Sequence, residues 1–238
     1  MRIRNSNKIY QITFLTNLFP VNCYLYEESS SLTLIDIGTG HFCKTLLRLS
    51  RELNKPITKI VLTHPHQDHV AGLDTIAKEL PDVDIYISER DYVLLKGDFN
   101  LYSHEEKKKI RGGFIPVETN PNNLVKDGGY IGTLRVISTP GHTPGSISLY
   151  DEEAAILIVG DALQVKGGFS VAGDKRLFFP FPALATWSVQ KSIQSAKKLY
   201  SLDIAVLGTG HGNLLMNPKE KLLKIIQRAE NKLKYEKN

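Results

Sequence analysis

The stretch Thr63–Gly72, THPHQDHVAG, crowds three of the chain's seven histidines and one aspartate into six positions. It begins where the apolar run Ile60, Val61, Leu62 ends, so the pattern predicts a strand closing there and a helix over 70–80. Imidazoles at 64 and 66 then project from one side of an extended loop, while Asp68 and His69 open the helix. Neutral nitrogen donors beside a hard oxygen donor suit zinc or a neighbouring divalent transition metal.

A lone histidine is more often a packed structural residue, so the test is whether further ligands follow other strands. The apolar run 134–137 leads into STPGHTPGS with His142, 155–159 leads into GDA with Asp161, and 204–207 leads into GTGHG with His211. Rigid sheets aim loop residues at one point from their strand ends. Gly141, Gly160, Gly210 and Gly212 permit the tight turns beside these side chains. Five histidines and two aspartates exceed what one tetrahedral zinc takes, so two metal ions are expected.

Around these loops, strands are predicted over 9–15, 22–26, 32–37, 85–87, 134–137, 147–150, 155–159 and 204–207. Helices are predicted over 41–53, 188–200 and 219–234, the last with Asn217 as N-cap and Pro218 at its first position. In that helix Leu222, Leu223, Ile225, Ile226, Ala229 and Leu233 recur at helical spacing, an apolar stripe to dock on a sheet. Its cations, Lys219, Lys221, Lys224, Arg228, Lys232, Lys234 and Lys237, are read as a solvated face. A polar insertion over 89–112 reads as helical, with Ser103 and Glu106 at capping-box spacing to open its second helix. Strands then helices, twice over, give an α/β fold: a four-layer αββα sandwich of two mixed β-sheets with helices on the outer faces.

At 238 residues one domain, 1–238, is the expectation, with a core large enough to need no disulfide. Two cysteines, Cys23 and Cys43, and no leader-like N-terminus point to the cytoplasm. No apolar run reaches the roughly 20 residues that cross a bilayer, so no membrane is expected. A net charge of +5 is too modest to demand nucleic acid, which is not expected as a partner. The expected partner is a small-molecule substrate, and the expected state a monomer or homodimer.

With these residues in hand, the chain resembles the metallo-β-lactamase superfamily of metallo-hydrolases along essentially its full length. The resemblance assigns His64, His66 and His142 to a first metal, Asp68, His69 and His211 to a second, and Asp161 to the bridge between them. It gives Asp36, in LIDIG, a supporting place beside the site. It implies two Zn2+ per chain, with Mn or Fe also fitting. A water-derived hydroxide bridging the metals is the expected nucleophile, and Asp68 is the catalytic residue expected to shuttle a proton.

Departures from subfamily patterns narrow the substrate. Asp161 stands where zinc β-lactamases carry cysteine, Gln164 where lactonases carry tyrosine, and Thr209 where many relatives carry proline, which implies a looser turn before His211. Glyoxalase II-like enzymes add a helical domain, whereas this chain ends one helix after His211. The expectation is a hydrolase of a carboxylic ester, thioester or lactone. The alternatives are a phosphodiesterase or nuclease on the same metals, and a mononuclear iron sulfur dioxygenase. In KRLFFPFPALATW, residues 175–187, Phe179 and Phe181 are candidate walls of a substrate pocket, with Phe19 and Gln164. His41 is a candidate substrate contact, and His104 is read as solvent-facing.

Overall fold

Fifteen strands and seven α-helices appear among residues 1–16 and 18–235, which the computed structural model describes; Lys237 lies outside the described residues. The chain divides into two compact units, residues 1–98 with 113–126, and residues 99–112 with 127–238.

The first unit holds a seven-stranded sheet in the order β1 (Arg2–Ser6), β2 (Ile9–Phe14), β3 (Val21–Glu27), β4 (Leu32–Ile35), β5 (Ile57–Val61), β6 (Asp84–Ser88) and β7 (Asn123–Val125). Pairing is antiparallel from β1 to β4 and parallel from β4 to β7. The parallel joints need crossovers. These carry α1 (Cys43–Glu52), then α2 (Gln67–Val70) with α3 (Leu73–Glu79), then α4 (Glu89–Leu95). Alternate residues such as Leu32 and Leu34 of β4, Ile60 of β5 with Leu62 just beyond it, and Ile85 and Ile87 of β6 share one core with Leu46, Leu49, Val70, Leu73 and Ile76 of the helices.

The second unit holds β8 (Tyr130–Ile131), β9 (Leu134–Ser138), β10 (Ile147–Asp151), β11 (Ile156–Ile158), β14 (Val206–Gly208) and β15 (Leu215–Met216) in one sheet, ordered β15-β14-β11-β10-β9-β8. Its β11–β14 joint is parallel and the others antiparallel, so both sheets are mixed, as expected. A small hairpin, β12 (Leu163–Gln164) with β13 (Ser170–Val171), lies after β11. The helices are α5 (Phe181–Leu184), α6 (Val189–Tyr200) and α7 (Lys219–Tyr235). Leu222, Ile225, Ile226 and Ala229 of α7 are buried in one cluster with Ile193, Ala196 and Leu199 of α6 and with Leu157 and Leu207 of the sheet. Each leucine or isoleucine among them contributes about 1.5–3 kcal/mol when fully buried.

Several local expectations are corrected. The predicted helix over 70–80 is α3, beginning only at Leu73; α2 ends at Val70, and between them lies Gly72, where an added Cβ would lie 2.3 Å from Ile37 Cγ2. No second helix forms in 99–112. There Glu105, not Glu106, reaches back to the Tyr102 amide (2.9 Å), and the Lys108 carbonyl accepts from Trp187 Nε1 (3.1 Å) instead of a helical amide. The first helical bond of α7 runs from the Leu222 amide to the Pro218 carbonyl (2.8 Å), which places the cap at Pro218 and leaves Asn217 at φ 46° before it. Leu223, a third of a turn off the stripe, is 37% exposed. The α7 charges are not all solvated: Arg228 donates from Nε and Nη2 to Asp174 Oδ2 at 2.9 and 2.6 Å.

Candidate metal centre

In the first unit the ligand loop leaves the C-terminal end of β5, inside the parallel part of the sheet, where α/β sheets gather their ligands. His64, His66 and His69 are buried and Asp68 is half-buried. The His64 ring centroid lies 4.8 Å from that of His66 and 4.1 Å from that of His69. Asp68 Oδ2 stands 3.9 Å from His69 Nε2. The four candidate residues of this loop therefore meet locally.

Asp36 organises them from the end of β4. Its carboxylate accepts from the Thr63 amide (2.8 Å), the Thr63 hydroxyl (2.8 Å) and His69 Nδ1 (2.7 Å). The Ile37 amide in turn donates to the His69 carbonyl (2.9 Å), so the LIDIG turn is stitched to α2. Asp36 has φ 54°, a left-handed conformation that non-glycine residues adopt at a cost. A carboxylate only accepts, so His69 carries its proton on Nδ1 and its lone pair on Nε2. Thr63 spends its one hydroxyl proton on Asp36. Its oxygen, 3.0 Å from His64 Nδ1, therefore accepts from that ring, and His64 also presents Nε2 as a donor atom.

In the second unit the three remaining candidates converge. His142 Nε2 lies 3.5 Å and His211 Nε2 3.2 Å from Asp161 Oδ2, all three residues being buried. Asp161 and His211 follow β11 and β14, the one parallel pair of that sheet, and the Gly210 amide donates to the Gly160 carbonyl (2.7 Å), holding the two loops side by side. The turn before His211 is tied and not loose: Thr209 Oγ1 donates to the His211 carbonyl (2.9 Å). His142 Nδ1 faces Thr186 Oγ1 at 3.2 Å, and that hydroxyl donates to the Pro182 carbonyl (2.7 Å), so His142 too keeps its lone pair on Nε2. Gly141 makes this turn reachable. At φ 148° it packs so closely on α6 that an added Cβ would lie 2.4 Å from the Ser192 amide nitrogen.

Seven His and Asp residues, His64, His66, Asp68 and His69 in one unit and His142, Asp161 and His211 in the other, are thus candidate metal ligands. Imidazoles held through Nδ1 by carboxylate or hydroxyl, together with carboxylate oxygens, form a donor set that fits divalent transition metals.

The other candidates fall as follows. Phe179 is buried with its ring 5.2 Å from His211, and Phe181, half exposed, meets it edge-on at 5.3 Å. Gln164 is buried, and its Nε2 donates to the carbonyls of Lys166 (2.8 Å) and Phe179 (3.0 Å), so it holds the aromatic loop. Phe19 is half-buried against the first unit's core. His41 is exposed and stacks on Phe14, and His104 is exposed beside Tyr102. Sequence reasoning missed Thr63 and Thr186, the hydroxyls that set two histidine tautomers; Thr63 is adjacent to His64, but nothing in the sequence links Thr186 to His142.

The family model of the metallo-β-lactamase superfamily matches residues 16–211. The chain is 44% identical over 232 residues to YobT of Bacillus subtilis (strain 168), an uncharacterized protein, covering 97% of this chain and 99% of that one. It is 29% identical over 207 residues to the probable metallo-hydrolase YflN of the same strain, covering 79% and 78%. Among solved structures it is similar to that of TTHA1623 in a di-iron-bound form, with TM-score 0.63, 25% identity, and 89% and 96% of the two chains covered. The chain belongs to the metallo-β-lactamase superfamily, and its two mixed sheets with helices have that fold.

Proposed function

We propose that this chain is a metal-dependent hydrolase of a small-molecule carboxylic ester, thioester or lactone, with His64, His66, Asp68, His69, His142, Asp161 and His211 holding two zinc ions. The observation that carries the reading is the fixed tautomer of three of these histidines, each held at Nδ1 so that Nε2 is the donor atom. YflN, named a probable metallo-hydrolase, supports the reaction class. The di-iron form of TTHA1623 makes iron a cation to test beside zinc and manganese.

Two divalent cations, when bound, supply a water acidified toward neutral pH and Lewis-acid polarisation of a substrate oxygen. The protein's own groups do the rest. Asp36 and Thr63 hold two imidazoles against rotation. Asp68, half-buried where the other ligands are buried, is placed to pass a proton to solvent. Phe179 and Phe181, with Phe19, offer apolar surface to an acyl or ring portion, and Gln164 positions Phe179 through its carbonyl. Two buried thiols suit the reducing cytoplasm.

Among the described residues no helix is long and apolar enough to cross a membrane. The test is metal analysis followed by a panel of p-nitrophenyl esters, thioesters, lactones and bis(p-nitrophenyl) phosphate on zinc-, manganese- and iron-loaded protein. Turnover of a carboxylic substrate, lost with metal and rate in Asp161→Ala, is the expected result. Turnover of the phosphodiester alone, or one iron per chain without hydrolysis, overturns it.

A further inference from the structure

We propose that the second unit carries a separate pocket for a small organic phosphate, a ligand with an anionic head and an apolar body. The pocket is a cavity of about 480 Å3 lined by Lys108, Lys109, Arg111, Lys175 and Lys232. Among the described residues no acidic side chain lines it. Glu106, 3.4 Å from Lys108, and Asp174, shared by Arg228 and Lys232, form ion pairs with two of these cations, and five basic residues against these two carboxylates keep the wall positive. Basic residues lining one concavity repel each other, a cost that an anionic ligand relieves. Phosphate suits the mixture best, because lysines meet it as point charges and the arginine meets it with its planar fork.

Apart from Gly173 and Thr186, the rest of the lining is apolar: Trp187, Leu184, Val189 and Ala183. Trp187 is fixed, 5% exposed and bonded through Nε1 to the Lys108 carbonyl, so ring and basic segment form one wall. Leu184 is 53% exposed and offers apolar surface. Gly173 completes the lining where a Cβ would come within 2.6 Å of Val189 Cγ2. A cavity of this size lies within the roughly 300–1,000 Å3 of small-molecule sites and exceeds what inorganic phosphate alone would fill. None of the cations is a candidate metal ligand, so the inference does not rest on the hydrolase reading. Thr186 belongs to the lining and also holds His142 Nδ1, so a bound ligand would touch the group that orients one metal-ligand candidate.

Trp187 is the only tryptophan, so its fluorescence reports this pocket, and the His64→Ala arm separates binding there from binding at the candidate metal residues. Phenylphosphonate, whose P–C bond resists hydrolysis, is titrated into the metal-loaded protein alongside inorganic phosphate and benzyl alcohol. A saturable change is expected with phenylphosphonate, weaker binding of phosphate and weaker still of the alcohol. Lys109→Glu with Lys175→Glu should weaken binding by about tenfold or more, increasingly so at low salt. Leu184→Glu, a surface change, gives a second route to the same loss, while His64→Ala leaves binding intact. Absence of any saturable change overturns the proposal. So does equal affinity for benzyl alcohol, wild-type affinity in both pocket variants, or binding lost in His64→Ala but kept in the pocket variants.

Discussion

The Asp36 carboxylate takes a 2.7 Å hydrogen bond from His69 Nδ1 while its own backbone is held at φ 54°. Asp36→Asn keeps the shape but exchanges one acceptor oxygen for a donor NH2, which cannot serve both Thr63 and His69. The expected result is a folded protein whose metal affinity or activity falls by about 10–100-fold, read by chelator competition and turnover. Unchanged metal affinity would remove Asp36 from the site's support.

Gly141→Ala should be costly, since the new Cβ would meet not only Ser192 Oγ but also the Ser192 amide nitrogen and Cα, backbone of α6 that cannot swing aside. A loss of about 2 kcal/mol or more is expected in denaturant unfolding, with metal loss, because His142 shares the turn. Ala at Gly97, where nothing lies within 4 Å, is the control at another positive-φ glycine: it carries the backbone strain without the clash.

Asp74 links pH to stability in the first unit. Burial opposes its charge, but hydrogen bonds from Thr119 and from the backbone amides of Glu118 and Thr119 prevail and hold its pKa below the ordinary carboxylate value. A depressed folded pKa stabilises above the unfolded value of about 3.9 and is lost as pH falls through the folded one. The stability gap between wild type and Asp74→Ala should therefore be constant at neutral pH and shrink below about pH 4. A gap unchanged at pH 3 would contradict the assignment.

Both cysteines should resist thiol reagents in the native state. Burial pushes the Cys43 thiol up to about 11 and raises Cys23 as well, so little thiolate exists near neutral pH. Two thiols per chain should react with Ellman's reagent in denaturant and almost none before it; rapid native reaction would show that the core opens.

Local chemistry made the candidate ligand set readable. His64, His66, Asp68, His69, His142, Asp161 and His211 all follow short β-branched or leucine-rich runs, and such runs form buried strands wherever they are paired. The α7 stripe was legible for the same reason, since helical spacing alone selects Leu222, Ile225, Ile226 and Ala229 for burial. Strand β1, RIRNS, was not, because it is a polar edge strand made by backbone pairing with β2 and not by side-chain pattern.

What only the tertiary structure decided are contacts between residues far apart in sequence. The close approach of Gly72 to Ile37 lies between α2 and α3, and Trp187 takes the Lys108 carbonyl that a helix over 103–112 would have used. Thr186 reaches His142 across 44 positions and sets its tautomer. A residue's own chemistry and its near neighbours are written in the sequence, which is why the candidate metal ligands could be picked out there. Which distant hydroxyl or carboxylate turns each ligand depends on where the chain returns in space, and no local pattern encodes that.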